Sequence, residues 1–412
     1  MSSVFQIKEH TLECQHIREY ARATAISQED VLHLAIKQYI PLDNPEPHIG
    51  DLTIIGGHAN GFPKELYEPL WEDLHARSKS NGFRIRSIWI ADVAQQGSSG
   101  VLNEELLGND PSWMDHTRDL LHMINMFRGE MPMPIVGMGH SFGANILCNL
   151  SLIHPRLLSS IVLMDPVIQQ HASAPDGPSP AQQSTFRRDL WPSRAEAVAA
   201  FEKSKFYQSW DRRVFDRWCK FGIRDTPSAV YPDEKGSVTL KCFTFMRPSW
   251  DGVSADGLSI LNRDLVPDLN LKNPVKYPLY RPEPPATLDK LDQLRPSAFY
   301  IFGGASNMSS PESIKQKMEI TGSAPGGSGG AKEGRVKQVT LEGIGHLVAM
   351  ERSEECADAA ASWFGQEVKR FEAERKAYEE WAKQSLAEKQ TMSEEWKKRV
   401  GGPLKKPAKS KI

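Results

Sequence analysis

The chain has 412 residues, 25% of them charged and 40% hydrophobic, and its 50 basic and 52 acidic side chains leave a formal net charge of −2. This composition is typical of a globular protein with one large domain that carries insertions, or with two domains. The near-neutral charge argues against a dedicated nucleic-acid binder. No apolar run reaches the roughly 18 residues of a transmembrane helix, so we expect no transmembrane segment.

The amino terminus and the cysteines indicate an intracellular protein. Residues 1–10 lack the apolar core of a secretory signal peptide. The five cysteines are scattered, odd in number and without C-x-x-C spacing, which is typical of reduced thiols. Histidines and cysteines do not cluster at ligand spacing, so we expect no metal site.

Short apolar runs alternate with helical stripes along residues 1–168. This alternation predicts a doubly wound, mostly parallel sheet, which forms the first part of an α/β core. A loop is expected at residues 92–100. The predicted strands lie in a pair within residues 6–40 and at residues 52–55, 85–91, 135–138 and 161–164, and helices are predicted to start near residues 66, 113 and 144.

The alternation stops at residue 169. Residues 169–290 are rich in Pro, Trp, Arg and Asp and are predicted to form a largely helical cap, with helical pieces around residues 194–224. Five aromatic side chains in this segment either line the roof of an apolar substrate pocket or form the cap's own core. These side chains are Phe201, Phe206, Tyr207, Trp210 and Trp218.

The second part of the core is predicted at residues 291–365. It contains two further strands and a closing helix at residues 355–364, while the Gly-rich residues 321–330 predict a flexible surface insertion. Residues 366–412 are dominated by charged side chains and predict an exposed helical tail with a disordered end.

Residues 135–143 predict a nucleophile elbow. An apolar strand runs into Gly139-His140-Ser141-Phe142-Gly143, and a helix follows. This is the G-x-S-x-G pattern, in which a strained turn lifts the serine Oγ above the sheet. Side chains at 139 and 143 would collide with neighbouring elements. The pattern also recurs by chance as a Gly-Ser loop, so Ser141 is a candidate nucleophile only if the other members of a catalytic triad are present.

His346 is the predicted base. It follows the last predicted strand after two glycines, where the chain order Ser, acid, His puts the base. Two other histidines adjoin the predicted site. His140 is expected to pack under the elbow turn, and His58, at the end of a strand, is expected to orient its own loop.

The acid of the triad has two candidates. In the hydrolases that this chain resembles, the acid usually follows the strand after the cap. The position expected for it holds Asn307, which cannot stabilise an imidazolium as a carboxylate does. Asp165 follows the strand before the cap and is the predicted acid, with Glu312 as its main rival. If Asp165 has no catalytic role, Asp165-Pro166 simply begins the next segment.

The oxyanion hole is predicted from two backbone N–H groups. One belongs to Phe142, directly after the nucleophile. The other comes from the loop at residues 58–63, with Asn60 as the predicted donor and Gly61 as the alternative. The same loop is also compatible with a tight turn that contributes no donor.

These motifs together resemble the α/β-hydrolase superfamily with a cap, over roughly residues 10–365. More narrowly they resemble fungal peroxisomal α/β-hydrolases, a group that includes hydrolases of toxin clusters and is similar to the yeast peroxisomal lipase. The resemblance implies hydrolysis of ester, lipid or acyl-thioester bonds and does not fix the substrate. The narrower resemblance rests on His58-Ala59-Asn60-Gly61-Phe62-Pro63-Lys64-Glu65, Trp89-Ile90-Ala91-Asp92-Val93-Ala94, Gly139-His140-Ser141-Phe142-Gly143, Ser209-Trp210-Asp211-Arg212-Arg213-Val214 and Phe221-Gly222-Ile223-Arg224-Asp225.

The carboxyl terminus predicts a compartment. Ser410-Lys411-Ile412 is a conservative variant of the Ser-Lys-Leu peroxisomal signal, on a tail that an import receptor could reach. The prediction is a peroxisomal protein with that receptor as a partner. The alternative is a generic basic tail on a cytoplasmic protein.

The sequence therefore predicts a serine hydrolase for a small acyl substrate that needs no cofactor. A serine at position 141 argues against epoxide hydrolysis and dehalogenation, which use a carboxylate nucleophile on this fold. Two other classes stay open: a biosynthetic acyltransferase or C–C hydrolase, and a ligand-binding protein with an idle triad.

Overall fold

The computed structural model describes residues 4–170, 180–242 and 281–402, and the tripeptide Ser410, Lys411 and Ile412 lies outside them. The chain divides into two compact units, Met1–Val368 and Lys369–Ile412. The strands of the described residues are β1 (Phe5–Glu13), β2 (His33–Pro41), β3 (Leu52–Gly57), β4 (Ile85–Ala91), β5 (Ile135–His140), β6 (Ser160–Met164), β7 (Leu190–Trp191), β8 (Ile223–Asp225), β9 (Val238–Leu240), β10 (Ser297–Gly303) and β11 (Val336–Leu341).

Helices connect most of these strands. The helical core elements predicted near residues 66, 113, 144 and 355 are all present. The helices are α1 (Glu68–Ser78), α2 (Gly97–Leu102), α3 (Trp113–Met126), α4 (Phe142–Ile153), α5 (Pro180–Thr185), α6 (Arg194–Lys203), α7 (Lys205–Gln208), α8 (Arg212–Phe221), α9 (Glu283–Leu288), α10 (Pro311–Ile320), α11 (Val348–Glu351), α12 (Ser353–Ala382), α13 (Leu386–Gln390) and α14 (Glu394–Val400).

One eight-stranded sheet organises the first unit, in the order β1-β2-β4-β3-β5-β6-β10-β11. β1 and β2 pair antiparallel and β2 joins β4 antiparallel, while every pairing from β4 to β11 is parallel. Every residue of β3, β5, β6 and β10 is buried, as expected for parallel strands that are covered on both faces. The predicted doubly wound, mostly parallel sheet is confirmed.

Two apolar cores cover the two faces of this sheet. Successive residues of β3 point to opposite faces, so Ile54 packs with Leu70 of α1 in one core and Ile55 packs with Leu147 of α4 in the other. β4 and β5 flank β3, and the chain passes from one side of β3 to the other between them. Ligands of open α/β sheets bind at the carboxyl ends of strands beside such a switch.

Residues 180–242, the longest described part of the predicted cap, are not only helical. It contains α5 to α8 and a small antiparallel sheet in the order β7-β9-β8. Ion pairs tie helix α8 to the core, and the two shortest involve α1. Arg213 binds Asp73 at 2.8 Å, and Arg217 binds Glu68 at 2.6 Å.

The aromatic side chains of residues 180–242 form a packed cluster. Tyr207, Trp210 and Trp218 have ring centroids 5.0 to 6.2 Å apart, and they are almost fully buried. Phe201 joins them, whereas Phe206 is 48% exposed. Four of the five aromatic side chains are therefore core residues. This core is shared with the first unit's sheet, because Trp210 and Trp218 also pack on Phe62 of the loop after β3.

Two segments differ from the sequence-based expectation. The predicted loop at residues 92–100 leads into helix α2. The Gly-rich residues 321–330 are anchored because Gly322 N–H and Ser328 N–H donate to Leu291 and Leu294 carbonyls, each at 2.9 Å. Helix α9 lies within the predicted cap, and Glu283 at its start accepts a hydrogen bond from the backbone of Trp113 at the start of α3.

The second unit contains the end of α12, together with α13 and α14. Its described residues are almost all exposed, and helices α13 and α14 begin at the capping serines Ser385 and Ser393. Residues 369–402 are thus largely helical and exposed in the structure. Among the helices of the described residues, none combines the length and the apolar character needed to cross a membrane.

Candidate active site

The turn between β5 and α4 holds Ser141 in a strained backbone conformation, with φ +57° and ψ −114°. Its N–H donates to the carbonyl of Met164 at 2.9 Å. The flanking glycines are required by close contacts. A Cβ atom on Gly139 would lie 2.6 Å from the Gly143 oxygen, and one on Gly143 would lie 2.2 Å from the carbonyl carbon of Gly57. The elbow geometry predicted from G-x-S-x-G is therefore present.

Three side chains from three strand ends meet at this turn. Ser141 Oγ lies 2.8 Å from His346 Nε2, and His346 Nδ1 lies 2.5 Å from Asp165 Oδ2. In this arrangement Nδ1–H donates to the carboxylate and the serine hydroxyl donates to Nε2. A hydroxyl, an imidazole and a carboxylate in this order are the groups that acyl transfer by a serine requires.

Asp165 is buried at the carboxyl end of β6 and accepts four hydrogen bonds. Besides His346, the donors are the backbone N–H of Gly303 at 3.0 Å and the hydroxyls of Ser306 and Ser309, each at 2.5 Å. Burial alone would raise the pKa of Asp165, but the bond and charge of His346 and the two serine bonds outweigh it. The pKa of Asp165 is therefore lowered, and the carboxylate stays ionised at neutral pH.

The loop after β10 contains no acidic residue of its own, and it contributes hydrogen-bond donors to Asp165 instead. Asn307 is exposed, as is Glu312 in the first turn of α10. The structure brings Asp165, and not Glu312, to His346. The contribution of Ser306 and Ser309 has no signal in the sequence, since serines are frequent in loops and their spacing marks nothing.

His140 is buried directly beneath the elbow, as predicted from its position. Its Nδ1 lies 2.9 Å from the hydroxyl of Tyr67, and its Nε2 lies 2.9 Å from the backbone carbonyl of His346. Burial, and secondarily the charge of His346, lower the pKa of His140 to about 3. This histidine is therefore neutral, and its hydrogen bond to the base is made to the backbone carbonyl of His346.

The loop after β3 lies at the same edge of the sheet as Ser141. Gly61 N–H donates to Gln96 Oε1 at 2.7 Å, and the Gln96 amide also donates to the side chain of Asn60. Gly61 N–H is thus engaged, whereas no acceptor for the Asn60 N–H is found among the described residues. Phe142 N–H opens helix α4, where the first amides have no partner within the helix.

His58 orients this loop, as predicted. Its Nδ1 lies 2.9 Å from the Ala59 carbonyl, and its Nε2 accepts a hydrogen bond from Val93 N–H at 3.0 Å. Burial lowers the pKa of His58. Beneath the loop a buried ion pair joins Lys64 Nζ to Asp92 Oδ2 at 2.7 Å. Neither the bonds of Gln96 to the loop nor the pairing of Lys64 with Asp92 was predicted from the sequence.

No cluster of metal-binding side chains stands beside this site. Across residues 4–170, 180–242 and 281–402, no three His, Cys, Asp or Glu side chains are arranged to hold a metal ion. The side chains that meet at the elbow carry a hydroxyl, an imidazole and a carboxylate.

The model of the alpha/beta hydrolase family matches residues 57–359. The chain belongs to this family. The hydrolase is also similar to type I acyl-CoA thioesterases of Penicillium. It is 39% identical to one of Penicillium roqueforti over 407 residues, which cover 93% of this chain and 92% of that protein. It is 40% identical to one of Penicillium brevicompactum, covering 91% of both chains.

More distant relatives agree with the narrower resemblance. An abhydrolase domain-containing protein of Alternaria alternata is 25% identical to the hydrolase over 239 residues, which cover 57% of this chain and 84% of that protein. The peroxisomal α/β-hydrolase of Saccharomyces cerevisiae has the same fold. Its structure superposes with a TM-score of 0.68 at 16% identity and covers 93% of this chain and 99% of the yeast chain. The resemblance to fungal hydrolases of this kind is confirmed.

Proposed function

We propose that this hydrolase is a serine thioesterase that cleaves acyl-CoA thioesters to a carboxylic acid and free coenzyme A. The observation that carries the proposal is the hydrogen-bonded series Ser141, His346 and Asp165 at the strand ends. The choice of a thioester is supported by the similarity to acyl-CoA thioesterases over about nine-tenths of the chain.

In the proposed first step, Ser141 Oγ attacks the thioester carbonyl while His346 Nε2 takes its proton. Asp165 holds the imidazole in the required tautomer and balances the imidazolium charge. The tetrahedral oxyanion is bound by the N–H groups of Phe142 and Asn60. The C–S bond then breaks, and the leaving thiolate receives the proton from His346.

In the second step, water takes the place of the leaving thiol. His346 removes a proton from the water, which attacks the acyl ester of Ser141, and the ester oxygen recovers a proton as the acid leaves. Both steps transfer only an acyl group and protons between the substrate, Ser141, His346 and water, so no cofactor is needed. Because Gly61 N–H already donates to Gln96, Asn60 is the better second donor for the oxyanion.

A substrate panel tests this proposal. Purified protein is offered acyl-CoA thioesters with short, long and aromatic acyl groups, and free thiol is measured. A matched series of p-nitrophenyl esters of the same acids is run beside it. We expect kcat/KM for at least one acyl-CoA to exceed that of its p-nitrophenyl ester. Hydrolysis of the esters with no release of coenzyme A would contradict the thioesterase assignment and leave an esterase.

We also propose that the protein enters peroxisomes through Ser410, Lys411 and Ile412, which an import receptor would bind. In a fusion with a fluorescent protein placed before residue 1, we expect punctate fluorescence that overlaps a peroxisomal marker. Removal of these three residues should leave the fluorescence in the cytosol. Punctate fluorescence that persists without them would contradict the signal.

A further inference from the structure

We infer that Tyr67 and His140 are positioning residues. Through one buried hydrogen-bond chain they hold the loop at residues 58–63 and the loop that carries His346 in register. The inference rests on the proposed roles of Ser141 and His346. It adds two residues that contact neither the substrate nor the reacting atoms.

The hydrogen-bond chain runs across the site below the nucleophile. Ala59 N–H donates to the Tyr67 hydroxyl at 2.8 Å, the hydroxyl lies 2.9 Å from His140 Nδ1, and His140 Nε2 lies 2.9 Å from the His346 carbonyl. Tyr67 is 1% exposed and His140 is fully buried. Water therefore cannot replace any of these partners without a rearrangement of the core.

The chemistry of the two ends fixes the direction of every bond. A backbone N–H can only donate, so the Tyr67 oxygen accepts from Ala59 and passes its own proton toward His140 Nδ1. His140 Nδ1 is then an acceptor, which puts the ring proton on Nε2. That proton points at the carbonyl of His346, which can only accept. One arrangement of protons satisfies all the groups, and it requires a neutral His140.

The position of this hydrogen-bond chain indicates its role in the site. Ala59 precedes Asn60, the proposed oxyanion donor, and His140 precedes Ser141 itself. His346 provides the base, and the rings of His140 and His346 lie 5.6 Å apart. The loops that follow β3, β5 and β11 are thereby linked. Since a shift of about 1 Å in a catalytic group costs about 100-fold in rate, this link bears directly on catalysis.

Tyr67→Phe removes one oxygen and breaks the chain at its centre. We expect kcat/KM for an acyl-CoA to fall by about tenfold to a hundredfold, mainly in kcat, with KM little changed. The rate at which a fluorophosphonate labels Ser141 should fall by a similar factor. The matched control is Tyr300→Phe, which removes a buried hydroxyl that bonds to Thr321 at 2.8 Å. This control should keep both rates near those of the unmodified protein.

Variants at His140 separate positioning from simple packing. His140→Gln keeps an N–H group that can reach the His346 carbonyl, and it should recover part of the rate that His140→Leu loses. The double variant Tyr67→Phe/His140→Leu should be no slower than His140→Leu alone, because the chain is already broken. Circular dichroism and thermal unfolding establish that each variant is folded.

Spectroscopy supplies a readout without turnover. In protein labelled with ¹⁵N at the histidine rings, the signals lost in His140→Gln belong to His140. We expect the tautomer with hydrogen on Nε2 and no titration between pH 5 and 8. A hydrogen on Nδ1, or a titration of His140 in that range, would contradict the proposed hydrogen-bond chain.

The failure of this inference is distinguishable from the failure of the proposed function. A protein that is labelled at Ser141 but cleaves no acyl-CoA refutes the thioesterase assignment, and the labelling rates of the variants still test the chain. Tyr67→Phe rates equal to those of Tyr300→Phe, or additive losses in the double variant, would overturn the positioning role. Absence of labelling at Ser141 would overturn both proposals.

Discussion

Asp165→Asn should lower kcat for thioester hydrolysis by about 10⁴-fold with little change in KM. The amide keeps the size of the side chain but loses the charge that balances a protonated His346. It also presents an N–H group toward His346 Nδ1 or toward the serine hydroxyls that now donate to the carboxylate. Steady-state kinetics with the best acyl-CoA of the panel measures the loss.

Glu312→Gln is the matched control for this change. Glu312 also carries a carboxylate near the end of β10, but it is exposed on α10, away from the hydrogen bond between His346 and Asp165. We expect this variant to keep the rate of the unmodified protein. Full activity of Asp165→Asn, together with an inactive Glu312→Gln, would reverse the assignment of the acid.

Ser141→Ala should lower kcat by about 10⁶-fold. The variant lacks the attacking oxygen, so only the oxyanion donors and substrate binding remain to accelerate attack by water. Substrate binding should persist, because the methyl group leaves both oxyanion amides free. Equilibrium binding of a non-hydrolysable acyl-CoA analogue, measured beside the kinetics, separates lost chemistry from lost affinity.

Ser151→Ala controls for the loss of a buried serine hydroxyl. Ser151 lies in α4, ten residues after the nucleophile, and its hydroxyl donates to the Leu147 carbonyl at 2.9 Å. This change should leave kcat unaffected. If Ser141→Ala retained more than a small fraction of the rate while Ser151→Ala behaved like the unmodified protein, Ser141 would not be the nucleophile.

Much of the fold follows from local patterns in the sequence. Runs such as residues 52–55 and 161–164 are short and rich in β-branched or apolar side chains, and they proved to be central parallel strands. The patterns did not reveal the small antiparallel sheet of residues 180–242. Its strands contain two or three residues each, and periodicity cannot be recognised over so short a length.

The site was predictable where a residue's role depends on its position along the chain. Ser141 stands in a recognisable turn, and His346 follows the last strand, so both could be located by order alone. Asp165 could be singled out because Asn307 stands where a carboxylate was expected. The structure joins these three side chains by hydrogen bonds.

The supporting residues could not be predicted, because their roles depend on contacts between distant parts of the chain. Ser306 and Ser309 reach Asp165 across about 140 residues, and Tyr67 reaches His140 across 73. Neither serine differs from other loop serines in sequence. A tyrosine in an amphipathic stretch is predicted to be a core side chain. The pattern does not predict which partner its hydroxyl group bonds to.

The most direct test of the proposed mechanism is an active-site titration with a fluorophosphonate. Protein labelled to increasing extents is analysed by peptide mass spectrometry and assayed for acyl-CoA hydrolysis. We predict one label per chain, located on Ser141, with activity falling in proportion to labelling and reaching zero at full occupancy. His346→Ala should label far more slowly. A label on another residue, or acyl-CoA hydrolysis that persists in fully labelled protein, would contradict Ser141 as the nucleophile.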